Sequence, residues 1–252
     1  MASTQATARD SIRGVITDPD ARELLRAAAR NNAEWCGAVS RSGHFRRTVW
    51  CSPRRTPPLY PDAVTLTPTA SAADVLAGVD TTAPGCSVKD SFASLDLAPA
   101  GFEVLFDAQW IHRPAGAAAP SGGRLEWDEV EGPGELAAWE AAWSDGESGG
   151  TGLFHPGLVR QGIVFLAGRD GERIAAGAVL STGGGAVGVS NVFGRTGADT
   201  DEAWAAALDA AARDRPDLPV VGYEHGEGLE AAVRAGFTPI GPLRVWLQRH
   251  TP

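Results

Sequence analysis

Apolar residues fall in short runs broken by glycine and polar turns, and the run over residues 219–249 holds a complete strand, helix and strand. Val220, Val221 and Tyr223 are β-branched or aromatic and predict a buried strand over 220–223, punctuated by Gly226 and Gly228. Leu229, Ala232, Val233 and Phe237 recur at helical spacing. Gly236 stands just after the last turn, where a left-handed residue closes a helix. Leu243, Val245 and Leu247 then alternate with Arg244, Trp246 and Gln248, predicting a strand over 243–247 with both faces in use.

The same reading extends upstream. It predicts a strand over 125–130, a helix over 135–143, and strands over 163–167, 174–181 and 186–193, the first two of these three joined through the Asp170-Gly171 turn. A long helix over 199–213 follows, before the loop at Pro216-Asp217. In the first half, Asp18-Pro19-Asp20 starts a helix whose face carries Ala21, Leu24, Leu25, Ala28 and Trp35. Strands are expected over 45–51, 63–67, 86–89 and 102–111, with a helix over 72–79 and a helical turn over 91–97. Residues 114–123 offer neither periodicity nor apolar mass and read as a linker.

AGFEVLFDAQWIHR at 100–113 and AGFTPIGPLRVWLQR at 235–249 both follow a short helix, and both run Ala-Gly-Phe into a strand with a Trp near its end. This is the mark of an internal duplication. The order strand, short helix, Ala-Gly-Phe and final strand, with the elements before it, resembles the GNAT superfamily of acetyl-CoA-dependent N-acyltransferases. The resemblance covers about half of the chain, residues 125–248. It implies an α/β fold with a mixed sheet flanked by helices, in tandem: a reduced N-terminal lobe over 1–114, a linker over 115–123 and a complete lobe over 124–252. Two such lobes could share one sheet, each covering an edge of the other.

Length and charge narrow the classes. A chain of 252 residues exceeds the usual domain of roughly 100–150, so one large or two smaller domains fit. Net charge is −9 with no basic run, which argues against a nucleic-acid partner. No apolar stretch is long enough for a signal peptide or a membrane span, so a cytoplasmic protein is expected. Cys36, Cys51 and Cys86 are odd in number and read as reduced thiols; with His44 they match no familiar zinc spacing, and no metal is expected.

The resemblance implies acyl transfer from acetyl-CoA or another acyl-CoA to a small amine-bearing acceptor. It places the donor's pantetheine arm between the strands 188–193 and 220–224, beside Asn191, Val192 and Phe193. It places the pyrophosphate at the loop Gly194-Arg195-Thr196-Gly197-Ala198, with Arg195 and Gly197 as its ligands. The physical basis is anion binding at a helix N-terminus. This loop is shorter than the family pattern Arg/Gln-x-x-Gly-x-Gly/Ala, and Asp199, Asp201 and Glu202 follow it directly, competing for the free N–H groups. The first-half loop Thr67-Pro68-Thr69-Ala70-Ser71 has neither Gly nor Arg. The family's general-acid Tyr is replaced by Ala232, and by Leu97 in the first half. Tyr223, Glu224 and His225 at the preceding strand end are the candidate acid and base; the alternative is a packed Tyr beside two solvated side chains.

Further candidates lie in the first half. Lys89, the only lysine, adjoins Asp90 and reads either as a buried charged pair or as a substrate contact. Asn31, Asn32, Glu34 and Trp35 could line a pocket with Asp107 and Gln109, covered by the Pro-rich loop that carries Tyr60, or simply belong to a capped, packed helix. Two other functions stay open: a transferase using another donor such as an aminoacyl-tRNA, and a binding or scaffold protein without a working donor loop.

Overall fold

The computed structural model describes residues 19–117, 123–144 and 152–249. The first element, α1 (Pro19–Ser40), begins with proline at its first helical position, where no N–H partner is lost. It buries Leu25, Ala28, Ala29, Asn32, Ala33, Cys36 and Val39 along one stripe. Ser40 Oγ donates back to Cys36 O (2.7 Å), and Arg41 turns to a left-handed φ of 52°, which ends the helix.

The chain continues through β1 (His44–Phe45), β2 (Val49–Cys51), β3 (Ala63–Thr65), α2 (Ala72–Leu76), β4 (Ser87–Asp90) and β5 (Phe102–Arg113). The second half holds β6 (Glu126–Glu129), α3 (Pro133–Trp143), α4 (Gly157–Arg160), β7 (Val164–Asp170), β8 (Arg173–Gly183) and β9 (Ala186–Gly194). It closes with α5 (Gly197–Asp214), β10 (Val220–Glu224), α6 (Gly226–Arg234) and β11 (Thr238–Gln248). Two first-half expectations change. The strand expected over 45–51 is a tight hairpin, β1 and β2, closed by the Arg46 N–H on Val49 O (2.8 Å). The helical turn expected over 91–97 does not form. The Asp90 carboxylate accepts from the N–H groups of Phe92 and Leu95, and Ala93 adopts a φ of 48°, leaving one 3-10 turn at Ala98–Ala100.

Among the described residues all eleven strands join one sheet in the order β1-β2-β3-β4-β11-β5-β10-β9-β8-β7-β6. Its centre has an internal symmetry. β3 runs parallel to β4 and β9 runs parallel to β10, while β5 and β11 lie antiparallel between these two pairs. Each half's last strand is therefore seated beside the other half: β11 pairs with β4, and β5 pairs with β10. The two Ala-Gly-Phe segments of the sequence lead into these two strands.

Helices cover both faces. On one face α1 and α3 enclose Trp35, Trp50, Trp139, Phe154 and Phe165. On the other, α5 and α6 enclose Trp204, Leu208, Ala232 and Phe237, while Val75 of α2 joins Val88, Leu97 and Trp246. α1, a first-half helix, lies chiefly over β8 and β9 of the second half. No helix among the described residues is long and apolar enough to cross a membrane.

Candidate active site

The parallel strands β9 and β10 pair at their starts, Val220 with Val187 and Val221 with Gly188, and then part. A bulge in β9 accompanies the separation. Pairing with β8 shifts between Val179↔Ser190 and Gly177↔Phe193, so Asn191 and Val192 together oppose Ala178. Asn191 takes a left-handed φ of 51°, a conformation that asparagine tolerates better than most residues, and the bulge bends the strand locally.

A cavity of about 410 Å³ opens where the strands diverge. Its floor and walls come from both halves: Asn32, Trp35 and Cys36 of α1, Lys89 of β4, Phe106 of β5, the loop carrying Leu59 and Tyr60, and Trp143 of α3. Ser190 and Asn191 from β9, and Tyr223, Glu224 and His225 at the end of β10, complete it. The Tyr60 hydroxyl donates to Asn191 Oδ1 (3.4 Å), and its ring meets Trp35 edge-on. Lys89 is buried; its ammonium donates to Asn32 Oδ1 (2.8 Å) and lies 4.0 Å from the centroid of the Tyr223 ring. A second cleft of about 430 Å³ adjoins the first, sharing Leu59, Tyr60, Lys89, Phe106 and Tyr223, and is walled by Pro57, Pro58, Leu105, Val245 and Leu247.

The electrostatics follow from burial. Glu224 is half-buried, and desolvation pushes its carboxyl up to about 7 against a weaker opposing hydrogen bond from the His225 N–H. Burial also holds the Tyr60 phenol well above its usual value. Desolvation raises the Cys36 thiol, with the nearby Lys89 charge opposing. A carboxyl poised near neutrality beside a strand gap is suited to proton transfer.

No family model and no curated protein matches the sequence. Among solved structures, the chain is similar to a GCN5-related N-acetyltransferase from Kribbella flavida, at 14% identity and a TM-score of 0.63, over 89% of this chain and 96% of that one. A putative acetyltransferase of the GNAT family from Novosphingobium aromaticivorans is similar at 15% identity and a TM-score of 0.58, over 89% and 99% of the two chains. The chain has the GNAT fold.

Within this GNAT fold, the segment matched to the pyrophosphate loop forms the start of α5. Thr196 caps the helix, its Oγ1 accepting from the Asp199 N–H (3.2 Å). The acidic residues after it are committed elsewhere. Asp199 pairs with Arg124 (2.6 Å), Glu202 accepts from the N–H groups of Arg124 and Leu125 (2.9 Å each), and Asp201 pairs with Arg234 (2.8 Å). The competition expected from these side chains for the first-turn N–H groups is therefore not what they do; they tie α5 to the segment just before β6 and to α6. Arg195 lies at the end of β9, its Nε 3.5 Å from Ile174 O, and a side chain at Gly197 would meet open space.

The structure brings Asn191, Tyr223, Glu224, His225 and Lys89 to one cavity. It places other candidates elsewhere. Val192 packs towards α5, and Phe193 stands edge-on to Trp139. Asp90 does not pair with Lys89: neighbours on a strand point to opposite faces, and its carboxylate accepts from the Leu95 N–H (2.7 Å) instead. Asp107 and Gln109 are corrected too. They alternate with Phe106, which lines the cavity, and are absent from its lining; Asp107 pairs with Arg244 (2.7 Å) at the surface. Asn31 belongs to the scaffold, whereas Asn32 and Trp35 line the cavity. Cys36, Phe106, Trp143 and Ser190 were missed. Only Ser190 carries a sequence signal, a hydroxyl in an otherwise apolar strand run beside Asn191. The three cysteines are free and buried, and among the described residues no group of three metal-ligating side chains assembles.

Proposed function

We propose that the protein is an acyltransferase that moves an acyl group from a CoA thioester to a small amine-bearing acceptor. The observation that carries this reading is the parting of β9 and β10 directly into a cavity that holds a near-neutral carboxyl. The residues fit such a donor. Beyond Val221 and Gly188 the facing backbone edges of β9 and β10 are free of each other, available to the amide groups of a pantetheine arm. Arg195 and the first-turn N–H groups of Gly197 and Ala198 suit its phosphates, because a helix start leaves N–H groups without intrahelical partners.

The bound thioester would supply the acyl group and a thiolate leaving group. Glu224, poised at about 7, accepts a proton from the acceptor's ammonium near neutral pH and leaves a free amine. Tyr223 lines the same cavity and brings a hydroxyl that can donate a proton to the departing sulfur. Asn191, held by Tyr60, presents a carboxamide at the mouth of the gap. Trp35, Phe106 and Trp143 give the cavity apolar walls that exclude water.

Calorimetry with acetyl-CoA and with CoA, followed by turnover with a panel of small amines, tests the reading. Saturable donor binding with amine-dependent release of CoA is expected. Absence of both would favour a non-catalytic binding protein, the reading supported by the self-capped start of α5. An aminoacyl-tRNA donor is disfavoured by the net charge of −9.

A further inference from the structure

Lys89 is 4% exposed, yet its ammonium has no carboxylate within ion-pair distance among the described residues. Its contacts are one hydrogen bond to Asn32 Oδ1 and the face of the Tyr223 ring. Asn32 is itself shared, its Oδ1 lying 3.7 Å from Cys36 Sγ. An ammonium has three N–H groups, so this arrangement leaves donor capacity unused in a site where an undercompensated charge is costly. Ser190 lines the same cavity, and its hydroxyl is buried with no hydrogen-bond partner among the described residues. A buried cation and an orphaned hydroxyl on two residues of one cavity lining point to an anionic ligand group that completes both.

We propose that the acceptor is an amino acid, its carboxylate seated on Lys89 and Ser190 and its amine turned towards Glu224 and the β9–β10 gap. This rests on the acyltransferase reading above. A single ammonium matches the single charge of a carboxylate better than a phosphate dianion, which ordinarily draws several cationic or N–H donors. Glu224 lines the same cavity and suits an ammonium, so the lining offers a partner to each charge of a zwitterion. The adjoining cleft walled by Pro57, Pro58, Leu105 and Val245 also opens at Lys89, and it accommodates an apolar side chain. The preferred acceptors are therefore apolar amino acids.

The test compares leucine with leucinamide, and phenylalanine with phenylalaninamide, by calorimetry on the full chain in the absence of any acyl donor. The free acids should bind about tenfold or more tightly than the amides, as expected when a charge-assisted contact is lost. In Lys89→Met that discrimination should collapse towards unity, and in Lys89→Arg it should persist in part. Equal binding of acid and amide by the native protein overturns the proposal, whether or not Lys89→Met folds. Acid preference that survives in folded Lys89→Met overturns it as well. Turnover of plain amines with no preference for acids would leave the acyltransferase reading standing and remove this one. Lys89-dependent acid binding without turnover of any thioester would do the reverse, retaining the carboxylate seat and removing acyl transfer.

Discussion

Gly188 of β9 leaves open the space that the Asn31 carboxamide of α1 fills. The amide Nδ2 donates to the carbonyls of Ser181 (3.0 Å), Gly183 (3.2 Å) and Ala186 (3.4 Å). One buried side chain from the first half thus closes the β8–β9 hairpin of the second. Asn31→Ala should lower the unfolding free energy by about 1–3 kcal/mol, because buried carbonyls lose their donor. Gly188→Ala should cost a similar amount by displacing the amide. Since both act on one contact, the double variant should fall short of the sum in chemical denaturation.

Glu224 links the site to pH. Its folded value of about 7 lies above the ordinary glutamate value of 4.5, so between these limits the folded chain binds more protons than the unfolded chain. Stability from this group is therefore full below the unfolded value and falls as pH rises towards 7. Glu224→Gln should remove that decline and be the more stable form at pH 8, by on the order of 2 kcal/mol or less. The same variant should lose the rising limb of the rate profile near pH 7, with turnover reduced about 10²- to 10⁴-fold. Native-like turnover in Glu224→Gln would exclude the base role.

Tyr223→Phe separates ring from hydroxyl. The ring packs edge-on against Trp110 (5.7 Å) and faces Lys89, and both contacts survive the substitution. Thermal unfolding should be nearly unchanged while turnover falls by about 10²-fold or more. Full turnover would leave the leaving sulfur to another donor.

Arg195→Glu addresses the phosphates. If Arg195 flanks them, CoA affinity measured by calorimetry should fall by at least about tenfold, since a charge-assisted contact is worth roughly 1.5–3 kcal/mol and the reversal adds repulsion. Unaltered affinity would remove Arg195 from the donor site.

Local chemistry was legible in the chain; its partners were not. The β10, α6 and β11 unit and the β7–β8 turn at Asp170-Gly171 announce themselves through periodicity and turn residues. The placing of β5 between β10 and β11 carries no local signal, because register between distant strands is fixed only by the packed sheet. The cavity shows the same division. Tyr223, Glu224, His225 and Asn191 stand at ends of strands that could be read, whereas Phe106 and Trp143 look like any core aromatics until segments from both halves converge. Asp107 and Gln109 were misplaced by a single question of parity, since a strand's alternate residues look the same in sequence whichever face they take. Asp90 misled for a related reason: adjacency along a strand separates side chains rather than pairing them.

The exchange of β5 and β11 bears on how the chain is made. When β5 leaves the ribosome both of its neighbours, β10 and β11, are still unsynthesised, so its two edges wait for those later strands. By itself the first half leaves both edges of β5 unpaired, and the cavity that takes its walls from α1, β4, β5 and β10 is complete only once β10 has been made. Synthesis that stops short of β11 leaves unpaired edges on β4 and β5, a target for chaperones rather than a smaller working protein.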